Sequence, residues 1–273
     1  MTDDSVQESN DSEPQVFVYA GTLTSFIYDV VWGGQHTDPQ DFCDALTKAC
    51  VWGTVVCREN GQKPWSDGVR SESASFSMPY DAYGALMIRV ASAMNSEPSP
   101  KMYARGTDPF EHDVLVRAIE RDVMPPFFIC SAFIPMEEVK FFSHTNPIDG
   151  EGEVFLMSTG GLRKLLSLIN MMFWKASPEE IESWAENVPE TSDMMETDVL
   201  ARYAFSQYSR ALWWAEDHDL PLMTSCMIRD ALTRAVPQCR SSPSPRARAG
   251  ACRTRWRCRG PDRPCGRLFR HLS

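Results

Sequence analysis

Residues 153–174 read Glu-Val-Phe-Leu-Met-Ser-Thr-Gly-Gly-Leu-Arg-Lys-Leu-Leu-Ser-Leu-Ile-Asn-Met-Met-Phe-Trp, and this stretch decides the fold class. Glu153–Ser158 is a short β-rich run. Thr159-Gly160-Gly161 interrupts it, and a long apolar segment follows to Trp174, with the length of a helix rather than a strand. A strand leading directly into a helix points to a fold in which helices cover a sheet. Upstream, Phe127-Phe128-Ile129-Cys130-Ser131-Ala132-Phe133 is a bounded apolar run that predicts a buried strand. Downstream the pattern is helical over Ser177–Val188, Ser192–His218 and Leu220–Val236. Ser177-Pro178-Glu179-Glu180 has the capping-box arrangement, in which a Ser hydroxyl and a Glu three residues on each satisfy a free backbone N–H.

The N-terminal half alternates the two element types. Gln15–Ala20 reads as a strand, followed by a helix through Ser25–Trp32 that Gly33-Gly34 closes. Asp38-Pro39 opens a second helix with Phe42, Leu46 and Cys50 at intervals of four. Val51–Cys57 is β-branched and predicts a strand ending at the turn Glu59-Asn60-Gly61. Ser77-Met78-Pro79 starts a helix to about Asn95. Lys101–Arg105 predicts a strand, Asp108-Pro109 a helix to Val123, and Pro135–Phe142 one or two helical turns. The expectation is an α+β fold, with a small mixed sheet of about four or five strands and a mostly helical C-terminal half. One domain is expected over residues 15–236, helical from residue 159 on, after a disordered acidic segment over 1–14.

The charge distribution separates a body from a tail. Residues 237–273 hold ten of the 27 basic residues and one of the 37 acidic ones, which leaves 17 basic against 36 acidic residues, −19, in the body. Such a body repels nucleic acid and anionic membranes and attracts basic partners. The tail, rich in Arg, Pro and Cys, reads as a disordered segment and as an altered or frame-shifted end; its other reading is a nucleic-acid binder that uses phosphate contacts, with Trp256 and Phe269 to stack on bases. No apolar run reaches the length of a membrane span, and the acidic first fourteen residues do not read as a targeting signal, so a cytoplasmic setting is expected. The nine cysteines are irregularly spaced with no C-x-x-C pair, which argues against a disulfide framework and against a metal site.

Four constellations are candidates for function. Ser158, Thr159, Gly160 and Gly161, at a helix start with Arg163 and Lys164 after them, form a candidate anion site. Cys130 and His144 are a candidate thiol–imidazole pair. In the helical region, Trp184, Trp213, Trp214, Glu216 and Asp217 form a candidate partner-binding face among many acids. Finally, Tyr103-Ala104-Arg105-Gly106, Cys130-Ser131 and Glu151-Gly152-Glu153 occur in an order that resembles the arginine, serine and Glu-x-Glu elements of mono-ADP-ribosyltransferases. The resemblance implies that Arg105 and Ser131, on neighbouring strands, hold NAD. It also implies that Glu153 stabilises an oxocarbenium-like ribose while Glu151 orients the acceptor.

The leading functional expectation is an acidic interaction protein, not an enzyme, that binds a basic protein partner without cofactor or membrane. An ADP-ribosyltransferase-like enzyme using NAD and a nucleic-acid binder acting through the tail are the alternatives. Limited proteolysis read by mass spectrometry is expected to remove residues 237–273 and leave a folded 15–236 core; a tail that resists cutting, or a core that unfolds without it, contradicts the boundary at residue 236.

Overall fold

The computed structural model describes residues 14–26, 39–62, 72–145, 153–190 and 192–224. At its centre is a six-stranded sheet built from β1 (Gln15–Ala20), β2 (Ala74–Pro79), β4 (Cys130–Ile134), β5 (Phe141–Thr145), β6 (Glu153–Ser158) and β8 (Leu222–Thr224), in the order β2-β1-β8-β4-β6-β5. β4 and β6 run parallel and all other neighbours antiparallel. A separate antiparallel ribbon joins β3 (Met102–Ala104) to β7 (Met194–Glu196). The fold is α+β with a mixed sheet, as the 153–174 reading indicates.

Alternation along the central strands divides the side chains between two cores. Val16, Val18, Ala20, Phe133, Met157 and Leu222 face one side. They pack there with helices α3 (Tyr80–Met94), α4 (Asp113–Glu120), α5 (Thr159–Phe173), α6 (Pro178–Glu186) and α7 (Thr197–His218). Tyr19, Ala132, Ile134, Leu156 and Met223 face the other side, under α1 (Leu23–Phe26) and α2 (Pro39–Glu59). The result is a three-layer sandwich. A sheet apolar on both faces requires such cover, because each buried Leu or Phe side chain contributes roughly 1.5–3 kcal/mol only when water is excluded from it.

Several expected elements change type. Val51–Cys57 belongs to α2, where Val56 and Cys57 are buried and Trp52 and Leu46 pack against the second core; burial of this face overrides the β preference of valine. Ala74–Pro79 is a strand, with helix α3 starting only at Tyr80. Pro79 is tolerated because β2 is an edge strand and Pro79 sits at its end, opposite Gln15. The helical turns expected over Pro135–Phe142 do not form: residues 135–140 have no helix and Phe141–Phe142 open the strand Phe141–Thr145, while the buried run at 127–133 begins as a 3-10 turn over Pro126–Phe128 before β4. In the expected third C-terminal helix, Leu222–Thr224 forms β8. Asp219, at φ 53° and ψ 44°, ends α7 in the left-handed region, and the Leu220 N–H closes back on the Ala215 carbonyl at 2.9 Å. The expected helix through Ser25–Trp32 is described only as far as Phe26.

The connection from β4 to β5 is locked to the start of α5. Ser158 Oγ accepts from the N–H groups of Gly161 at 3.0 Å and Lys140 at 2.9 Å. The Gly160 N–H donates to the Met136 carbonyl at 2.9 Å. Gly160 has no room for a side chain: a Cβ there would collide with the backbone carbonyl of Glu137. Gly160→Ala is therefore expected to destabilise the protein by about 1–3 kcal/mol, the usual cost of overpacking a tight site, as measured by urea denaturation; an unchanged midpoint contradicts this closure.

Candidate functional site

The acidic face is built from α6 outward. Ser177 caps this helix by accepting from the Glu180 N–H at 3.3 Å, and the Glu180 carboxylate accepts from the Ser177 N–H at 2.7 Å, completing the capping box read in the sequence. Ile181 and Ala185 turn inward, one helical turn apart, with Trp184 half-buried beside them. Glu179, Glu180, Glu182 and Glu186 are exposed, as are Glu190, Asp193 and Glu196 further on. No Lys, Arg or His occurs between Lys175 and Arg202. The Glu179 carboxyl is held below the ordinary carboxylate range by its own backbone N–H and then by the Ser177 hydroxyl, so it stays ionised into mild acid.

A charged fan pins this face to the core. Asp198, in the first turn of α7, accepts from Arg89 at 2.8 Å, Arg202 at 2.7 Å and the Trp174 indole N–H at 2.9 Å. The Arg89 guanidinium lies 4.8 Å from the centre of the Phe173 ring, and the Arg202 guanidinium lies 5.3 Å from the centre of the Trp184 ring. Trp174 in turn meets Trp184 edge-on at 5.4 Å and Phe205 at 5.0 Å. Burial pushes the Arg89 pKa below its usual value, opposed by Asp198 and reinforced by Arg202. Two guanidinium groups thus share one carboxylate, and the carboxylate is fully used in holding α3, α5 and α7 together.

The residues of the expected partner face are divided between two places. Trp184 lies under Arg202 near the start of α7, whereas Trp213 and Trp214 lie near its end, half-buried against the core. Trp214 stacks on His218 at 3.9 Å. Glu216 is occupied within the molecule: Arg163 donates to it at 2.8 Å and reaches both oxygens of Glu137 at 3.0 and 3.2 Å. Asp217 is exposed. Trp184, on α6, thus lies apart from Trp213 and Trp214, near the end of the 22-residue α7, and the exposed acids run along the chain from α6 through Glu190 and Asp193 to Glu196 on β7.

The candidate anion residues are brought together but closed. Ser158 is 0% exposed, Thr159, Gly160 and Gly161 are buried, and the hydrogen bonds to Met136 and Lys140 use the groups that an anion would need. For the transferase-like set, Ser131 on β4 and Glu153 on β6 sit on adjacent strands, with Ser131 buried and Glu153 exposed. Arg105 follows β3 of the separate ribbon, where its N–H donates to the Asp193 carbonyl. Arg105 and Ser131 are thus on different sheets, not on the neighbouring strands the resemblance implies, and Glu151 lies outside the described residues.

Cys130 and His144 do not form a pair. Cys130 faces the first core, and its thiol donates to the Pro126 carbonyl, while His144 meets α2 on the opposite side of the sheet. Burial raises the pKa of the Cys130 thiol well above its usual value, which keeps it protonated. A shallow depression lined by Gly106, Thr107, Asp108, Glu111, His112 and Asp113 is open to solvent. Its Asp108 carboxylate accepts from the Phe110 N–H, and His112 Nδ1 accepts from the Val114 N–H. Among the described residues, no group of three or more His, Cys, Asp or Glu side chains is placed to hold a metal ion, and no helix is long and apolar enough to cross a membrane.

Sequence reading missed two arrangements, the Asp198 fan and a contact of Trp52 with His144. Each joins residues far apart in the chain, and neither has a local pattern to betray it. Compared with known proteins, the chain matches no family model, no curated protein and no solved structure.

Asp198→Ala would leave Arg89 and Arg202 facing each other without a counter-charge. The three side chains are between 20% and 43% exposed, so solvent screening reduces the penalty below that of a fully buried network. A loss of about 1–2 kcal/mol is expected in chemical denaturation, and a change below about 0.3 kcal/mol contradicts the pinning role.

Proposed function

We propose that this chain is a non-enzymatic interaction protein whose acidic face, centred on α6, binds a basic protein partner. The observation that carries the reading is the run of seven exposed carboxylates from Glu179 to Glu196, with no basic residue between them in the chain. Across the body, 36 acidic residues stand against 17 basic ones, so the long-range field has the same sign as this surface and steers basic partners toward it. Trp184 supports the same face from beneath, because its ring and the Arg202 guanidinium fix the helix that displays the acids.

The test is binding of a lysine-rich peptide, followed by calorimetry, to the full chain and to the triple variant Glu179→Lys, Glu182→Lys, Glu186→Lys. These positions are exposed, so the fold is expected to persist. The variant should bind at least about tenfold more weakly, and raising NaCl from about 0.05 to 0.3 M should weaken the native interaction severalfold. Binding that is indifferent to salt, or equal in the variant, refutes the proposal.

A further inference from the structure

The acidic run from α6 ends in the ribbon of β3 and β7, where the chemistry of the surface changes. The ribbon's register sets Met102 opposite Glu196, Tyr103 opposite Met195 and Ala104 opposite Met194. Side chains alternate between the two faces of such a ladder, so Tyr103 and Met195 share one face while Met102, Ala104, Met194 and Glu196 share the other. Burial agrees with this division. Tyr103 is buried and Met195 packs against the first core, whereas Met102 is 43% and Met194 51% exposed, and Ala104 and Glu196 are exposed with them.

The outer face stands on a firm base. The Arg105 N–H donates to the Asp193 carbonyl and the Thr197 N–H to the Lys101 carbonyl, both at 3.0 Å, which extends the ladder past both ends of the paired strands. Beneath it, the Tyr103 hydroxyl donates to the Thr107 carbonyl at 2.9 Å and lies so close to Gly84 of α3 that a Cβ there would collide with it. Met102 and Met194 occupy diagonal positions, roughly 7–8 Å apart in such a ladder, so their long side chains form one apolar patch with Ala104. Glu196, directly opposite Met102, is the one charged residue on this face. Lys101 and Arg105, at the two ends of β3, fall by alternation with the inner positions. Glu196 is also the N-cap residue of α7, yet its side chain makes no cap hydrogen bond.

We infer that this face is the apolar half of the partner site, a reading that rests on the acidic-face proposal and adds what the partner must contain. The basic segment bound by the acidic run is amphipathic: it lays an apolar side chain across Met102 and Met194 while a neighbouring cation meets Glu196. Charge selects this occupant. A patch whose one charge is a carboxylate, on a chain whose body carries 36 acidic against 17 basic residues, repels an acidic segment and accepts a basic one. Methionine, unbranched and flexible, moulds itself to the apolar side chain that arrives, which suits a surface that binds segments of varied shape. The two halves act differently. The charge field speeds encounter and weakens with salt, whereas the apolar contact slows departure and does not.

Calorimetry on the full chain tests this with two peptides of equal length and charge, one of lysine and serine, the other with some of its serines replaced by leucine. The leucine peptide is expected to bind about tenfold more tightly, the gain from burying one large apolar side chain. That ratio should hold between about 0.05 and 0.3 M NaCl while both affinities fall. In the double variant Met102→Gln, Met194→Gln the ratio should drop to about one, with the lysine–serine peptide bound as by the native chain, which also shows that the variant is folded. Met102→Leu with Met194→Leu should restore the preference. If the lysine–serine peptide binds but leucine brings no gain in the native chain, or the gain survives in the glutamine variant, the apolar anchor is overturned and the acidic face stands. If neither peptide binds, both fall. Sedimentation of the chain alone supplies the last arm: self-association that the glutamine variant loses would assign this face to a second copy of the chain and overturn the anchor.

Discussion

Both faces of the central sheet must be dry, and the rest of the structure follows from that. Neighbouring residues such as Phe133 and Ile134, or Leu222 and Met223, point to opposite sides, and each side has its own apolar core. Five helices serve one face. The other is covered by α1 and α2, and α2 is helical in spite of the valines at 51, 55 and 56 because a strand there could not roof the face that holds Tyr19 and Leu156. The same demand explains the glycine at 160. The helix that covers β4 and β6 must start against the carbonyl of Glu137, where no side chain fits.

Where local pattern and tertiary demand agree, the structure was legible. The 153–174 run showed its strand, turn and helix, and the capping box at Ser177 marked the start of α6 to the residue. Where they disagree, pattern misled. Val51–Cys57 has the composition of a strand and the surroundings of a helix. Leu222-Met223-Thr224 is too short to display a period of two, and its Leu and Met are good helix formers; only pairing with β1 and β4 on both sides makes it a strand. Ala74–Pro79 was hidden by a proline that an edge strand accepts at its end.

The candidate sites divide in the same way. The charge of the α6 face is a property of composition and could be read directly, whereas its support could not. Asp198 meets Arg89 from α3 and Trp174 from the end of α5, contacts that exist only once helices distant in the chain are packed together. Trp52 and His144 are 92 residues apart in the chain. The converse error arose at Ser158–Gly161, where a local pattern suited to holding an anion is instead consumed by the chain's own backbone at Met136 and Lys140. A free helix start and an occupied one look identical in sequence.

The place of β8 bears on how the molecule comes to be folded. Its three residues stand between β1 and β4, so without them the sheet is two fragments, β2-β1 and β4-β6-β5, each with an open edge. β1 pairs with a strand about 200 positions later, Val18 opposite Thr224, and such distant contacts are slow to form because the entropy of loop closure precedes any gain. During synthesis the two fragments exist before the strand that unites them. The inner edges of β1 and β4 then offer unpaired backbone groups to any other extended chain nearby, which makes the last step of assembly also the one most exposed to misassociation.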